Sequence, residues 1–185
     1  FTLGVGNYTE SDIREAARAL TGWRQRNGRS QFVARNHDAG DKTVLGTTGR
    51  LDADAVVDLA LARPACGTFL ATRLLEAFVT PSPHADLVSA VAAHLRDNGF
   101  DVATTLRTLL KSNAMFAPEH YRARIKSPVE YAIGLARSLE LKVSGPDLAD
   151  ATSRMGQRLL EPPTVKGWDG DRTWLNSATM LVRLN

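Results

Sequence analysis

Apolar residues recur at helical spacing along most of this chain. The first such stripe follows Thr9, a residue type that caps helices, and Asp12 stands three positions later, as in a shortened capping box. The pattern predicts a helix that ends near Gly22. Its expected apolar face consists of Ile13, Ala16, Ala17, Leu20 and Trp23.

Further helices are predicted wherever this periodicity returns. Ser127-Pro128-Val129-Glu130 opens one of them with a full capping box and a proline in the first turn. In another, the expected buried stripe is Phe69, Leu70, Leu74 and Phe78. The predicted ranges are 52–62, 64–79, 82–98, 101–110, 127–141 and 146–160, with a last helix that holds Trp174, Ala178, Leu181 and Val182.

Two short runs are β-prone. Residues 31–34 and 42–45 are separated by the polar segment 35–41, which predicts one hairpin with a longer loop. The sequence therefore predicts a mainly α fold, an irregular multi-helix bundle of about seven or eight helices with one small β-hairpin. We expect a single helical domain or lobe over residues 1–185.

The composition is that of an ordinary globular protein. Apolar residues make up 43% of the chain and charged residues 23%, and charges interrupt every apolar stretch, so no membrane span is expected. The net charge is only +3, and the arginines are scattered without an aromatic platform, so a solvated face is favoured over nucleic-acid binding. The single cysteine, Cys66, is expected to be a small buried side chain rather than a catalytic thiol.

Several distinctive stretches follow one another along the chain. They are Phe1–Glu10, Glu15–Trp23, His37–Lys42 with Leu45-Gly46, Arg124–Glu130, Met155-Gly156-Gln157, and Pro162–Trp168 with Trp174-Leu175-Asn176. In order and spacing they resemble the bacterial "domain of unknown function 1800" family over essentially the whole chain.

This resemblance implies an architecture but no reaction, because no activity is established for the family. Its members are about twice this length or longer, and the chain corresponds to their C-terminal part. We therefore expect a fragment of a longer protein, whose first partner is the N-terminal half of the same polypeptide. Many members carry export signals, so the resemblance also implies an extracytoplasmic location, periplasmic or secreted, and other extracytoplasmic proteins as partners.

His37 and Asp38, with Lys42 shortly after them, form the most suggestive polar cluster. A histidine beside a carboxylate can bind a metal ion or move a proton. Two ligands are too few for a metal site, so further ligands would have to come from the N-terminal half. Asp38 can equally organise the loop through hydrogen bonds to the backbone. Both interpretations remain open.

A second polar group lies at the predicted helix start near residue 127. Ser127 and Glu130 are explained as a reciprocal cap. Lys126 is not explained by capping, and its position four residues before Glu130 also allows an ion pair across one helical turn. It is therefore a candidate ligand-binding residue.

The segment 162–170 combines rigid prolines, glycines and an indole, which is unusual for a simple connection. Trp168 and Trp174 could form an aromatic wall for a saccharide or peptide, with Lys166, Asp169 and Asn176 as polar partners. The alternative is that both indoles fill the core and the glycines only allow the turn.

Two functions are compatible with these clusters. The first is a ligand-binding or assembly module of an exported protein, with a surface formed by the His37 loop and the loop from Lys166 to Asn176. The alternative is a metal-assisted hydrolase whose site is completed by the N-terminal half. In that hypothesis His37 and Asp38 bind a divalent metal or carry protons, and Lys166 stabilises developing charge. Whether the chain is an enzyme stays open.

Overall fold

A computed structural model describes residues 2–184. Within them the chain forms eight α-helices and two antiparallel two-stranded hairpins, so the mainly α class is confirmed. The elements are α1 (Glu10–Ala19), β1 (Trp23–Arg26), β2 (Arg29–Phe32), β3 (Lys42–Val44), β4 (Thr47–Gly49), α2 (Ala53–Leu61), α3 (Pro64–Phe78), α4 (Ala85–Asp97), α5 (Val102–Leu110), α6 (Pro128–Ser138), α7 (Gly145–Arg154) and α8 (Ser177–Leu184).

The chain divides into two compact units. Unit 1 comprises the residues up to Glu76 together with Pro83–Lys111, and unit 2 comprises Ala77–Ser82 and the chain from Ser112 onward. Unit 1 therefore holds α1, both hairpins, α2, most of α3, α4 and α5, whereas unit 2 holds α6 to α8.

The strands pair differently from the sequence prediction. β1 pairs with β2 around Asn27-Gly28, and β3 pairs with β4 around Leu45-Gly46, so the predicted single hairpin between 31–34 and 42–45 is wrong. All four turn residues have positive φ, between 49° and 79°. Positive φ at both central residues gives the type I′ turn, which matches the twist of paired strands and closes each hairpin locally.

α1 begins at the predicted cap, but its buried face differs from the prediction. The Thr9 N–H donates to Asp12 Oδ2 at 2.8 Å, and the Asp12 N–H donates to Thr9 Oγ1 at 3.1 Å. Ile13 and Leu20 of the expected apolar stripe are exposed. The reason is that α1 turns three polar side chains toward the segment 38–45, namely Asp12, Glu15 and Arg18.

α3 also buries a different stripe from the one predicted. Gly67, Ala71 and Leu75 are buried, whereas Phe78 is exposed. Gly67 marks a point where α4 passes close to α3, since a Cβ there would lie 2.9 Å from Arg96 Nη1 and 3.4 Å from the Ala92 carbonyl oxygen. The prediction followed the large side chains, whereas the buried face of α3 carries mostly small ones.

The buried apolar side chains of unit 1 include Cys66, which has no exposed surface, as predicted. Burial raises the pKa of its thiol above the usual value, so the inert interpretation holds. The other buried apolar side chains of unit 1 are Leu3, Ala19, Val44, Ala71, Leu75, Val88, Val91, Ala92, Leu95 and Leu109, and those of unit 2 are Ala132, Met155 and Trp174.

α2 and α3 follow each other closely with a bend of 76° between them. The Asp52 side chain caps α2 by accepting a hydrogen bond from the Ala55 N–H at 2.9 Å. Together the two helices reach the length and apolar composition of a bilayer span. Among residues 2–184, no single helix is long and apolar enough to span a bilayer.

α7 ends at Arg154, earlier than the predicted Leu160. Gly156, with φ of 94°, donates its N–H to the Ser153 carbonyl at 2.9 Å, and the Gln157 N–H donates to the Thr152 carbonyl at 2.9 Å. These two bonds form a Schellman motif, which terminates a helix at a left-handed glycine. Residues 155–176 are consequently irregular apart from a short 3₁₀ turn at Asp171–Trp174.

Gly22→Ala tests how closely the backbone before the first hairpin packs against Phe32 and His37. A Cβ at Gly22 would lie 2.9 Å from a ring carbon of Phe32 and 3.1 Å from the Cβ of His37. The left-handed backbone costs alanine about 1–2 kcal/mol, and overpacking adds about 1–3 kcal/mol. In urea denaturation we expect a larger loss of unfolding free energy than for the control Gly28→Ala, whose Cβ would meet nothing within 4 Å. Equal losses would contradict the close packing.

Candidate functional site

Arg18 joins α1 to the predicted His37 loop. Its Nε and Nη2 donate to the two carboxylate oxygens of Asp38 at 2.7 and 3.3 Å, and its Nη1 donates to Glu15 Oε2 at 2.7 Å. Such a fork is the strong geometry for an arginine and a carboxylate. The Arg18 hydrogen bonds, followed by a bond from the Gly40 N–H, lower the pKa of Asp38 to about 2. The Asp38 carboxylate is therefore committed to these partners.

The two carboxylates on this face of α1, Asp12 and Glu15, accept hydrogen bonds from backbone N–H groups of the second hairpin. Glu15 Oε2 accepts from the Thr43 N–H at 3.3 Å, and Asp12 Oδ1 accepts from the Leu45 N–H at 2.7 Å. The pKa of Asp12 is lowered, first by the Thr9 hydroxyl bond and then by the two backbone bonds. The polar face of α1 thus supplies acceptors for a segment that has few regular partners.

His37 and Lys42 also have partners within unit 1. His37 Nδ1 lies 3.0 Å from the Thr21 carbonyl oxygen, and the Thr21 hydroxyl accepts from the Asp38 N–H at 2.8 Å. Lys42 is only 1% exposed, and its Nζ donates to the Gly40 carbonyl at 2.9 Å. The structure therefore brings the three predicted residues into one polar cluster and gives each of them an internal contact.

A metal centre at His37 and Asp38 would have to compete with these contacts. Both Asp38 oxygens accept hydrogen bonds, from Arg18 and Gly40. Within residues 2–184, no group of three or more His, Cys, Asp or Glu side chains is arranged to hold a metal ion. Every further ligand would have to come from outside these residues, and the Arg18 pair would have to open.

In unit 2, the segment around the start of α6 is held by side chains from distant parts of the chain. The predicted Ser127–Glu130 capping box is present. Three further bonds act on this backbone: the Ile125 N–H donates to Asp171 Oδ1 at 3.0 Å, the Val129 N–H donates to Gln157 Oε1 at 3.0 Å, and Arg183 Nη2 donates to the Lys126 carbonyl at 3.2 Å. The Lys126 side chain itself is exposed.

The predicted aromatic wall is divided between core and surface. Trp174 is 7% exposed and belongs to the buried residues of unit 2, whereas Trp168 is half-buried. Lys166 Nζ donates to Asp169 Oδ1 at 2.6 Å in an exposed ion pair, and this bond lowers the pKa of Asp169. Of the two tryptophans, only Trp168 therefore has indole surface that a ligand could contact, and it lies next to the ion pair in sequence.

Asn176 acts at the start of α8. Its Oδ1 accepts from the Thr179 N–H at 2.9 Å, and its own N–H donates to Thr179 Oγ1 at 3.0 Å. This reciprocal arrangement gives an acceptor to the backbone N–H of Asn176 and to that of Thr179 at the helix start. A ligand role for Asn176, as for Lys126, Lys166, Trp168 and Asp169, stays a prediction.

Unit 1 contains a shallow groove of about 510 Å³ along α3, which the sequence did not indicate. Its polar side chains are engaged with near neighbours. Arg73 pairs with Glu76 at 2.8 Å and lies over the Phe69 ring, and Asn7 donates to the Leu3 carbonyl at 2.9 Å. The groove therefore lacks the convergent polar groups that define a specific ligand site.

Sequence reasoning missed the residues that hold the His37–Lys42 cluster in unit 1 and the start of α6 in unit 2. In unit 1 the signal was available, since Asp12, Glu15 and Arg18 are spaced by three and share one helix face. In unit 2 the supporting residues Gln157, Asp171 and Arg183 carry no periodic signal, because each bonds across a long stretch of chain.

Comparison with known proteins identifies a family. The sequence profile of the family described as "Protein of unknown function (DUF1800)" matches residues 1–185. No curated protein matches the chain, and no solved structure matches it.

Asp38→Asn tests the ion pair with Arg18. Because the pKa of Asp38 is lowered to about 2 in the folded chain, its ionised form stabilises the fold at neutral pH, and that stabilisation is lost as the pH falls from about 4 to about 2. We expect the difference in unfolding free energy between wild type and variant to be constant at higher pH and to shrink through this window. Urea denaturation at a series of pH values measures it.

The matched control is Asp97→Asn, at an exposed position of α4. If the stability difference for Asp38→Asn is independent of pH between about 5 and 2, the ion pair does not contribute to folding in the way proposed.

Gln157→Met tests the long-range cap of α6. The variant keeps side-chain volume but leaves the half-buried Val129 N–H without its acceptor, which costs about 1–3 kcal/mol. We expect this loss in urea denaturation, together with faster hydrogen exchange of the Val129 amide. Arg158→Met, at an exposed neighbour, is the control and should change stability by less than about 0.5 kcal/mol. Unchanged Val129 exchange would argue against the cap.

Proposed function

The chain belongs to the DUF1800 family, and from that premise we propose that it is an assembly module whose unit 2 binds another polypeptide segment through an apolar loop. The apolar loop is defined as residues 159–165, between the end of α7 and the Lys166–Asp169 ion pair. This surface differs from the one expected from the sequence, which combined the His37 loop with the loop from Lys166 to Asn176. The apolar loop directly precedes the second of these, and the polar groups of the His37 loop have internal partners.

The observation that carries the proposal is the exposure of two apolar side chains on this short loop. Leu160 is 94% exposed and Val165 is 90% exposed. Single exposed apolar residues are normal on protein surfaces. Two that are almost completely exposed on one loop form a surface that gains about 1.5–3 kcal/mol per side chain when a partner buries it.

Two prolines and one backbone hydrogen bond restrict the conformation of this loop. Pro162 and Pro163 restrict its backbone, and the Gly167 N–H donates to the Thr164 carbonyl at 3.0 Å at its far end. Leu160 itself has a left-handed backbone, with φ of 62°, which costs a residue with a side chain about 1–2 kcal/mol. A loop ordered before binding loses less conformational entropy when the partner arrives.

The partner in this proposal is the remaining part of the longer polypeptide that the family resemblance implies. Trp168, Lys166 and Asp169 directly follow the apolar loop and would form the polar rim of the contact, as rims of interfaces commonly are. An extracytoplasmic location, and saccharide or peptide ligands at Trp168, stay predictions.

The metal-assisted hydrolase has less support. Its proposed ligand Asp38 is bonded to Arg18, and Lys166 is paired with Asp169. A catalytic role for either residue would first require those bonds to break, which no feature of the described residues favours.

Thiol labelling of Leu160→Cys tests the proposal. Because Cys66 is buried, the introduced thiol is the reactive one. We expect fast maleimide labelling in the 185-residue chain and labelling at least about tenfold slower in the longer polypeptide, where the partner segment covers the loop. Lys142→Cys, at an exposed position of unit 2, is the matched control and should label equally fast in both.

Equal labelling rates of Leu160→Cys and Lys142→Cys in the longer polypeptide would contradict the proposed contact. Labelling of Leu160→Cys that slows as the concentration of the 185-residue chain rises would instead assign the loop to self-association.

A further inference from the structure

The first hairpin has one face made almost entirely of arginine. In the register of β1 and β2, Arg24 stands opposite Gln31 and Arg26 opposite Arg29. Directly opposite residues of an antiparallel pair point to the same face, so these four side chains lie together. The face contains three guanidinium groups and no carboxylate.

These arginines are not neutralised by the chain itself. Neither Arg26 nor Arg29 forms an ion pair among residues 2–184. With its amide oxygen toward Arg24, the Asn36 side chain accepts hydrogen bonds from Nε and Nη2, both at 3.1 Å, which braces the guanidinium but leaves its charge. Like charges directly opposite each other destabilise a hairpin, so folding alone does not favour the Arg26–Arg29 pair.

The opposite face of the hairpin carries two aromatic side chains, Trp23 and Phe32, each about half exposed. Trp23 packs on Phe32 with ring centroids 5.5 Å apart, and Phe32 packs on His37 at 5.4 Å. The aromatic side chains thus anchor the hairpin at His37, and the arginine face points away from this anchor. A surface without aromatic or aliphatic groups is poorly suited to stack bases or to enter a bilayer.

The hairpin also has open edges. In the described residues, β1 and β2 form a sheet of two strands only. Arg26 and Arg29 flank the two-residue turn and form its hydrogen-bonded pair, so the next pair, Gln25 with Ser30, directs its backbone groups outward. On β1 the outward N–H and C=O of Gln25 lie between Arg24 and Arg26.

We propose that an extended acidic peptide adds to this hairpin as a third strand along β1. Its backbone bonds to the outward groups of Gln25, and carboxylates on alternate residues face Arg24 and Arg26, because side chains two apart on a strand share a face. The planar guanidinium fork matches a carboxylate, which suits arginine rather than lysine at these positions. The proposal uses unit 1 only and stands independently of the apolar loop.

The test uses the 185-residue chain and a fluorescent synthetic peptide in which Glu and Thr alternate. Anisotropy titration should give saturable binding that weakens with salt. A peptide of the same composition with its Glu residues grouped should bind at least about fivefold more weakly, because its charges cannot all lie on one face of a strand. Equal binding of the two peptides would overturn the proposal, and so would equal binding of duplex DNA or anionic vesicles.

The backbone part of the proposal is tested with N-methylated peptides. Methylation of one set of alternate amides blocks the bonds to β1, whereas methylation of the other set affects only the outer edge. We expect one set to weaken binding by about tenfold or more and the other to leave it nearly unchanged. If neither set weakens binding, strand addition is excluded.

Variants of the chain test the charges. Arg26→Gln should weaken binding of the alternating peptide by about twofold to fivefold, which is the range for one opposite-charge cross-strand pair. Arg14→Gln, at an exposed position of α1, is the matched control and should bind as wild type does. Equal weakening by both substitutions would assign binding to net charge and overturn the assigned face.

Discussion

Backbone hydrogen-bonding groups outside regular elements have to find partners, and this requirement organises both units. A buried N–H without an acceptor costs about 1–3 kcal/mol, so a chain with long irregular segments needs side chains that supply acceptors. In unit 1, Asp12, Glu15 and Asp38 accept hydrogen bonds from the N–H groups of Leu45, Thr43 and Gly40, and of these only the bond to Leu45 is half-buried. In unit 2, Asp171 and Gln157 provide acceptors for the approach to α6.

This requirement accounts for several residues that the sequence suggested as catalytic or ligand-binding. Asp38 is drawn into the framework by Arg18, and its lowered pKa reflects stable ionisation rather than readiness to exchange a proton. Lys42 is buried and bonded to a backbone carbonyl, and Asn176 caps α8. Polar residues at fixed spacing in loops can therefore serve the backbone, and their chemistry alone does not distinguish a framework from a reactive site.

The helices could be predicted because their signals are local. The caps at Thr9 and Ser127 lie within three residues of the groups they bond, and both are present in the structure. The contacts that decide faces are not local: Arg18 reaches Asp38 across 20 residues, and Asp171 reaches Ile125 across 46. No periodicity in the sequence encodes such pairs. For this reason the buried face of α1 differed from the predicted one. The predicted strand pairing was wrong although its signals are local, because Asn27-Gly28 and Leu45-Gly46 each close a hairpin at a two-residue turn. The burial of Trp174 agrees with the alternative in which the indole fills the core.

The residues that the framework does not use are the more informative ones for function. The like-charge pair of Arg26 and Arg29 opposes folding locally, and the almost completely exposed Leu160 gains nothing from burial. Neither supplies a hydrogen bond to an irregular segment, and neither is compensated by a neighbouring ion pair or by burial. Local conflicts with stability in an otherwise consistent fold are expected where a partner binds, because the partner supplies the missing counter-charge or the missing apolar contact. The two surfaces need different complements, carboxylates on an extended strand for one and an apolar pocket for the other, so a single partner segment cannot satisfy both in the same way.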